Sequence, residues 1–224
     1  MITSPQNEKL KLVRKLAARR WRDKLGLFVC EGEDLVDAAA EAGVEPVELL
    51  VAGETVEPQL LAEVSTLAHP ARVIGVYRRA DLPVGFRNRV LALWQVADPG
   101  NVGTLVRAAD AFDASLALSP GCADPTGPKA LRASAGAIFR VPLGPFDETP
   151  RPRVALVARG GTPLDDLEVT EPVTLVLGAE RQGLPDELVQ ACDGRATIRQ
   201  APSAESLNVA MAGAIALYEL VRRS

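Results

Sequence analysis

Short apolar runs alternate with stretches of helical periodicity along most of this 224-residue chain. Apolar strands that alternate with helices are typical of a mostly parallel sheet covered by helices on both faces. We therefore predict an α/β fold for residues 89–224. The predicted strands are 90–96, 115–118, 154–158, 173–177 and 196–198, and the predicted helices are 102–112, 128–135, 186–191 and 206–223.

The first 78 residues show the same alternation on a smaller scale and predict a separate small α/β domain. The segment 79–88 mixes Pro, Gly and charge, which is typical of a linker. The predicted helices of this first domain are 5–21, 33–42 and 58–67, and the predicted strands are 25–30, 47–52 and 72–77.

The scarcity of cysteine and histidine excludes several kinds of site. The three cysteines are far apart and form no CxxC pair, and there is a single histidine, so neither a disulfide framework nor a metal site is expected. No GxGxxG or GxxxxGK[ST] motif follows a strand, which argues against a dinucleotide or P-loop site. With no signal sequence and no apolar run of about 18–20 residues, we expect a cytoplasmic protein that does not enter a membrane.

Charge is distributed unevenly, although the net charge is only −4. Eight basic and two acidic residues lie between Glu8 and Lys24, whereas ten acidic residues and no Lys or Arg lie between Glu31 and Glu63. A basic segment of this kind can bind phosphate on an acidic protein, and the alternative is an ordinary solvated helix. The candidate RNA-binding residues are Lys11, Arg14, Lys15, Arg19, Arg20 and Arg22.

The segment 98–112 is the first of three that could carry chemistry at the ends of predicted strands. Asn101 is expected to cap the helix that follows the Pro-Gly turn. Arg107 lies about 150° from the apolar stripe of that helix. It is therefore either a solvated arginine or one that faces a phosphate or a partner.

The other two segments are 175–185 and 198–219. Glu180 lies in a tight loop between Gly178 and Gly183, where it could accept hydrogen bonds; a plain strand-to-helix turn is the alternative. Ser206 and Asn208 are polar residues at the start of a helix that is apolar nearly all round. They could cap this helix, which we expect to be buried in the domain or against a second subunit.

Taken together, the three segments resemble the SpoU/TrmH family of RNA ribose 2′-O-methyltransferases in the SPOUT superfamily. The family pattern runs PxNxGxxxRxAxxF, then a strand ending in GxExxGL, then I-x(7)-SLN before a helix that ends in LYE. The matching residues are Pro99, Asn101, Gly103, Arg107, Ala109, Phe112, Gly178, Glu180, Gly183, Leu184, Ile198, Ser206, Leu207, Asn208 and 217–219. The start of the chain also resembles the RNA-binding domain of the family, at Ile2, Ser4, Asn7 and 28–32.

The resemblance implies a catalytic domain with a trefoil knot, preceded by a small ribosomal-protein-like α/β domain. It implies S-adenosylmethionine as methyl donor, structured RNA (rRNA or tRNA) as substrate, no metal, and a homodimer formed through the catalytic domain. The implied donor-binding positions are Leu177, Gly178, Ile198, Leu207 and Asn208. The implied catalytic positions are Asn101, Arg107, Glu180, Ser206 and Asn208.

The chain departs from the family pattern at Asp113, where the family often has a glycine after the motif phenylalanine, and also in one loop. Where the family usually has Ile-Pro-Met-x-Gly, residues 198–202 read Ile-Arg-Gln-Ala-Pro. This difference leaves open a non-catalytic RNA-binding protein with a degenerate SPOUT domain. The acidic net charge also leaves open an α/β enzyme that does not act on RNA, and a gel shift with a steep salt dependence would argue against that alternative.

Overall fold

The computed structural model describes residues 1–168 and 170–223; Val169 and Ser224, which the predicted second domain includes, lie outside this part. The strands are β1 (Leu27–Glu31), β2 (Glu48–Val51), β3 (Val73–Arg78), β4 (Arg89–Leu93), β5 (Ala114–Leu118), β6 (Leu143–Pro145), β7 (Arg153–Leu156), β8 (Thr162–Pro163), β9 (Val173–Leu177) and β10 (Gly194–Thr197). The helices are α1 (Glu8–Leu16), α2 (Arg19–Leu25), α3 (Glu33–Glu41), α4 (Pro58–Val64), α5 (Pro99–Ala111), α6 (Pro128–Ser134), α7 (Asp186–Gln190) and α8 (Val209–Arg223).

The strands form two sheets. The first has the order β1-β3-β2 and is antiparallel, and the second has the order β6-β5-β4-β9-β7-β10-β8. Every neighbouring pair in the seven-stranded sheet is parallel, which confirms the predicted parallel α/β architecture. The trefoil knot that the resemblance implies stays a prediction. Within the described residues, no helix has the length and apolarity that crossing a membrane requires.

The predicted helix 5–21 is wrong, because the structure divides this segment into α1 and α2. Ala18 adopts an extended conformation between them. The guanidinium of Arg22 turns back and donates to the carbonyl oxygens of Leu16 and Ala17, at 2.9 and 2.8 Å. Alanine is a good helix former, so nothing in the local sequence marks this break. A buried tertiary contact decides it.

Two short strands at the edges of the large sheet, β6 and β8, were not predicted. They are three and two residues long, and each contains a proline. Segments this short show no hydrophobic period, and proline is confined to positions such as sheet edges. The predicted strand 90–96 is also too long. Its last residues leave the sheet after Leu93, where Gln95 takes a positive φ of 51°.

The predicted linker 79–88 is packed against the second sheet. The backbone of Leu143 donates to Pro83 and accepts from Gly85, at 3.0 and 3.2 Å. The apolar core is also continuous across this region. The ring of Phe28 in β1 lies 6.1 Å from that of Phe139, and both belong to a core cluster that includes residues of the large sheet.

Candidate functional site

The three motif segments meet at the carboxyl edge of the seven-stranded sheet. β4 and β9 are neighbours, with Leu93 opposite Leu177, and the loops that follow them contain the first two segments. β10 lies one strand beyond β7 in the same parallel sheet and leads into the third segment. Parallel strands end at the same edge, so side chains far apart in sequence come together here.

Helix α5 begins earlier than predicted, and this changes the role of Asn101. The carboxylate of Asp98 caps the helix by accepting from the Asn101 backbone N–H at 3.0 Å. The expectation that Asn101 is the cap is therefore wrong. Pro99 fits the first helical position, which makes the residue before it the cap. As a result, the side-chain amide of Asn101 is free for other contacts.

Glu180 accepts hydrogen bonds from that amide and from two backbone groups of the loop before α5. Its Oε1 accepts from Asn101 Nδ2 and from the Asp98 N–H, both at 3.0 Å, and its Oε2 accepts from the Ala97 N–H at 3.2 Å. Burial raises the pKa of this carboxyl, but the hydrogen bonds from Asn101, Asp98 and Ala97 outweigh it and hold the pKa of Glu180 below its usual value. Glu180 is therefore a carboxylate at neutral pH.

Asn208 extends this contact to the third segment. Its Nδ2 donates to Asn101 Oδ1 at 3.1 Å, while its Oδ1 accepts from the backbone of Ala210 and Met211 at the start of α8. Asn208 is thus both the helix cap and the end of a hydrogen-bonded chain from Asn208 through Asn101 to Glu180. The predicted helix start at Ser206 is three residues too early.

A cavity of about 270 Å³ opens beside Glu180. It lies beyond the carboxyl ends of β7, β9 and β10, and its wall is largely apolar. Four of the five predicted donor-binding residues line it, together with Glu180 and Ser206. The lining residues are Leu156, Val157, Ala158, Leu177, Gly178, Ala179, Glu180, Arg181, Gln182, Gly183, Ile198, Gln200, Ser206, Leu207, Val209 and Ala212. Asn208, the fifth predicted donor contact, lies outside the lining.

The loop at Gly178 approaches backbone so closely that it requires glycine. A Cβ on Gly178 would lie 2.1 Å from the carbonyl carbon of Gly183. Ala179 and Gly183 exchange two backbone hydrogen bonds across this turn, at 3.1 and 2.9 Å, and Gly183 has a φ of +66°. The two glycines of the motif therefore shape the rim of the cavity through backbone geometry.

Gln200 is a site residue that sequence reasoning missed. It lines the cavity, and its Oε1 is buried without a hydrogen-bond partner among the described residues. A buried acceptor of this kind is uncommon, and it leaves one hydrogen bond of Gln200 available at the cavity. A sequence signal for it existed, because Gln200 lies in the loop 198–202 that departs from the family pattern. Arg159 holds the continuation of that loop by donating to the carbonyl oxygens of Pro202 and Ala204, at 3.3 and 2.9 Å.

Arg107 is not brought into the hydrogen-bonded chain. It projects from α5 into solvent, and within residues 1–168 and 170–223 its guanidinium has no hydrogen-bond or ion-pair partner. Its neighbours on this face, Thr104 and Ala111, are also exposed. The structure thus leaves this arginine available to a bound molecule or a second subunit.

The predicted RNA-binding residues fall into separate groups. Arg22 is only 5% exposed and forms an ion pair with Asp124 at 2.8 Å, so the fold leaves it little surface with which to contact RNA. Lys11, Arg14 and Arg19 are more exposed but face carboxylates of Glu8, Glu63 and Asp23. Lys15 and Arg20 are exposed and form no ion pair with a described residue.

Comparison with known proteins agrees with this geometry. Residues 88–218 match the model of the SpoU rRNA Methylase family, and residues 7–80 match the MRM3-like substrate binding domain. The chain belongs to the SpoU rRNA methylase family. It is 31% identical to the 23S rRNA (guanosine(2553)-2′-O)-methyltransferase RlmP of Bacillus subtilis, over 98% of each chain.

Solved structures show the same fold over nearly the whole chain. An AdoMet-bound rRNA methyltransferase from Sinorhizobium meliloti superposes with a TM-score of 0.86 at 28% identity, covering 99% of this chain and 97% of that one. The SpoU methyltransferase AviRb from Streptomyces viridochromogenes, in complex with the cofactor AdoMet, has a TM-score of 0.85 at 27% identity, covering 97% of this chain and 98% of that one.

Proposed function

We propose that this protein transfers the methyl group of S-adenosylmethionine to the ribose 2′-hydroxyl of a structured RNA. The observation that carries the proposal is the cavity at the carboxyl edge, where three motif segments meet and the chain Asn208–Asn101–Glu180 joins them. The family match supports the activity. The named relative acts on 23S rRNA, which favours rRNA over tRNA as the substrate class.

The residues of the cavity fit the methyl donor. Leu177, Ile198 and Leu207 provide an apolar wall for a purine ring, and the unsatisfied Oε1 of Gln200 suits an N–H or O–H donor of a nucleoside. The carboxylate of Glu180 provides negative charge beside a cationic ligand. When bound, S-adenosylmethionine supplies an electrophilic methyl group on a sulfonium centre.

The polar residues then have distinct tasks in the proposed reaction. Asn101 and Asn208 fix the position of Glu180 and the start of α8, so the rim of the cavity is preorganised. Ser206 is exposed on the cavity wall, and we assign it to a hydrogen bond with the ribose of the RNA substrate. A guanidinium group stays protonated in proteins and has no lone pair with which to act as a base. We therefore assign Arg107 to the phosphate beside the reacting ribose, where its charge favours the deprotonated 2′-hydroxyl.

We also propose that the protein forms a homodimer through its catalytic domain. Helix α8 exposes a stripe of large apolar side chains on one face, at Met211, Ile215 and Tyr218, which are 59%, 39% and 55% exposed. The ring of Tyr218 also contacts Phe112 at the end of α5, so this stripe adjoins the helix that carries Arg107. A contiguous apolar surface of this kind is typical of an interface between subunits. Arg107 would then reach the site of the partner.

Methyl transfer to RNA tests the function directly. RNA from a strain that lacks the gene should accept labelled methyl groups from S-adenosylmethionine at a 2′-hydroxyl when the purified chain is added, and mapping the methylated ribose identifies the nucleotide.

The altered loop 198–202 favours one competing function, a non-catalytic RNA-binding protein. Calorimetry separates the two, because a degenerate domain should give no heat with S-adenosylmethionine. The cytoplasmic location stays a prediction.

A further inference from the structure

Three cations of the basic segment surround a single aromatic ring. Trp21 lies half-buried on α2, with Lys15 Nζ, Arg20 Cζ and Lys24 Nζ at 5.5, 5.8 and 5.2 Å from its ring centroid. All three charged side chains are exposed, and none pairs with an acidic group of the described chain. We call Trp21, Lys15, Arg20 and Lys24 the tryptophan patch.

The other cations of the same segment lie within 4 Å of carboxylates. Each of the five pairs with a carboxylate: Lys9 with Glu48, Lys11 with Glu8, Arg14 with Glu63, Arg19 with Asp23, and Arg22 with Asp124. Of the eight positive charges in the sequence, three therefore form no ion pair with a described residue, and these three are gathered at one ring. Cation–π attraction is weak for cations that are exposed to solvent, and the three like charges repel one another. A bound anion would relieve that repulsion.

The patch lies on the side of the molecule that carries the candidate site. Arg19 Nη1 donates to the Cys122 carbonyl oxygen at 3.2 Å, and Arg22 anchors α2 to Asp124 in the same loop. That loop follows β5, and the thiol of Cys122 donates to the carbonyl oxygen of Leu93 at the end of β4. Helix α2 is thus fixed to the carboxyl edge of the large sheet, where Asn101 and Glu180 lie.

We propose that the tryptophan patch binds an unpaired nucleotide of the RNA substrate. An unpaired base would stack on the indole of Trp21, and Lys15, Arg20 and Lys24 would bind the phosphates on either side of it. Aromatic rings flanked by cations recognise single-stranded RNA in this way, because every base offers a π-face and every linkage a charge. This inference rests on the proposed function, because that function makes RNA the ligand. It adds the place where the RNA is bound and the expectation that the bound nucleotide is unpaired. It predicts a substrate with an unpaired base in a loop, bulge or end near the methylated ribose.

Fluorescence of Trp21 reports the stacking. In a Trp94→Phe chain, Trp21 is the only tryptophan, and a single-stranded RNA of ten nucleotides should quench its emission. The same sequence in a duplex, and inorganic polyphosphate at equal charge, should quench much less because neither presents an unstacked base. Equal quenching by polyphosphate or by the duplex would overturn the stacking assignment.

Charge substitutions test the phosphate contacts against a matched control. The triple variant Lys15→Gln, Arg20→Gln, Lys24→Gln should weaken binding of single-stranded RNA at least about tenfold and flatten the log–log salt slope by about two. The control variant Lys9→Gln, Arg78→Gln, Arg151→Gln removes the same charge at exposed cations that each pair with a carboxylate and are not among the predicted RNA-binding residues. Because its cations are already paired, binding should weaken less than about threefold. Equal losses of RNA affinity in the two variants would mean that binding depends only on total charge, and this would overturn the proposal.

A stacking variant completes the test. Trp21→Leu should weaken binding of single-stranded RNA about tenfold while leaving the salt slope unchanged, since no cation is removed. Thermal unfolding of each variant checks that the fold is intact. The proposed function fails separately: a wild-type chain that binds neither RNA nor S-adenosylmethionine refutes the methyltransferase assignment. RNA binding that is insensitive to the patch refutes only the present inference.

Discussion

The side-chain amide of Asn101 donates to Glu180 Oε1 at 3.0 Å, across 79 positions of sequence. This contact ties the loop after β4 to the loop after β9, and Asn208 ties the start of α8 to both. The rim of the cavity therefore depends on a carboxylate that is stabilised by neighbouring donors.

Glu180→Gln should lose stability in a pH-dependent way. The hydrogen bonds to Glu180 hold its folded pKa below the unfolded value of about 4.3. The folded state thus binds fewer protons than the unfolded state, and the stabilisation is present above that pH and lost as pH falls through the folded pKa. Denaturant unfolding from pH 7 to pH 3 should show the gap between wild type and Glu180→Gln closing in acid. The exposed Glu187→Gln on α7 serves as control, and a gap that stays constant with pH would contradict the prediction.

Arg22→Gln should destabilise the fold without changing the salt dependence of RNA binding. The side chains of Arg22 and Asp124 are 6% and 8% exposed, so removing one partner leaves an undercompensated buried charge. We expect a loss of about 3 kcal/mol, at the low end for buried pairs because Arg79 still contacts Asp124 at 2.7 Å. Arg20→Gln is the matched control, with a stability change below about 0.5 kcal/mol. Urea unfolding distinguishes the two.

Gln200→Leu should weaken donor binding without weakening the ligand-free fold. The Oε1 of Gln200 has no hydrogen-bond partner among the described residues, which costs about 1–3 kcal/mol where neither water nor a ligand supplies a donor. Calorimetry should show lower affinity for S-adenosylmethionine, while thermal unfolding of the ligand-free variant shows an unchanged or higher midpoint. An unchanged affinity would mean that the bound donor leaves this oxygen unpartnered.

Arg107→Ala should abolish most methyl transfer while donor affinity persists. The exposed guanidinium has no partner in the described part of the chain, so its loss should leave the cavity intact. We expect turnover to fall by about 100–1,000-fold, as for other groups that stabilise developing charge. Arg107→Lys should also fail, because a point charge does not replace a bidentate fork. Near-normal turnover in either variant would refute the assignment.

Ile215→Asp should convert a dimer into a monomer. The stripe Met211, Ile215 and Tyr218 is exposed on the isolated chain, and a charge at its centre opposes burial against a second copy. Light scattering of the full chain at micromolar concentration measures the mass. Val84→Asp is the control, because Val84 is 82% exposed but lies outside this stripe. A wild-type monomer would refute the interface.

Mixing variants tests whether the subunits share a site. Arg107→Ala and Asn208→Ala, each inactive alone, should recover part of the activity when their subunits exchange, because a mixed dimer contains one complete site. Absence of recovery, with exchange verified by mass, would show that each subunit works alone.

Periodicity predicted the strands that are buried in the sheet, and β9 agrees with its predicted range of 173–177. Motif spacing identified Asn101, Glu180 and Asn208 as members of one site, which the hydrogen bonds bring together, although their catalytic roles stay predictions. The edge strands β6 and β8 and the break between α1 and α2 escaped prediction. The edge strands form by pairing with a neighbouring strand, and the helix break depends on a buried side chain. Neither cause produces a local pattern in the sequence.

The sequence by itself determined the alternation of strands and helices, the glycines of the close turn at Gly178, and the family to which the chain belongs. These follow from local period, backbone sterics and motif spacing. Only the tertiary structure decided which charges remain free. Arg20 and Arg22 are two residues apart in one basic run, yet one lies over a half-buried indole and the other is buried against Asp124. Charge in a sequence adds along the chain, but its compensation depends on which carboxylates folding brings within a few ångströms.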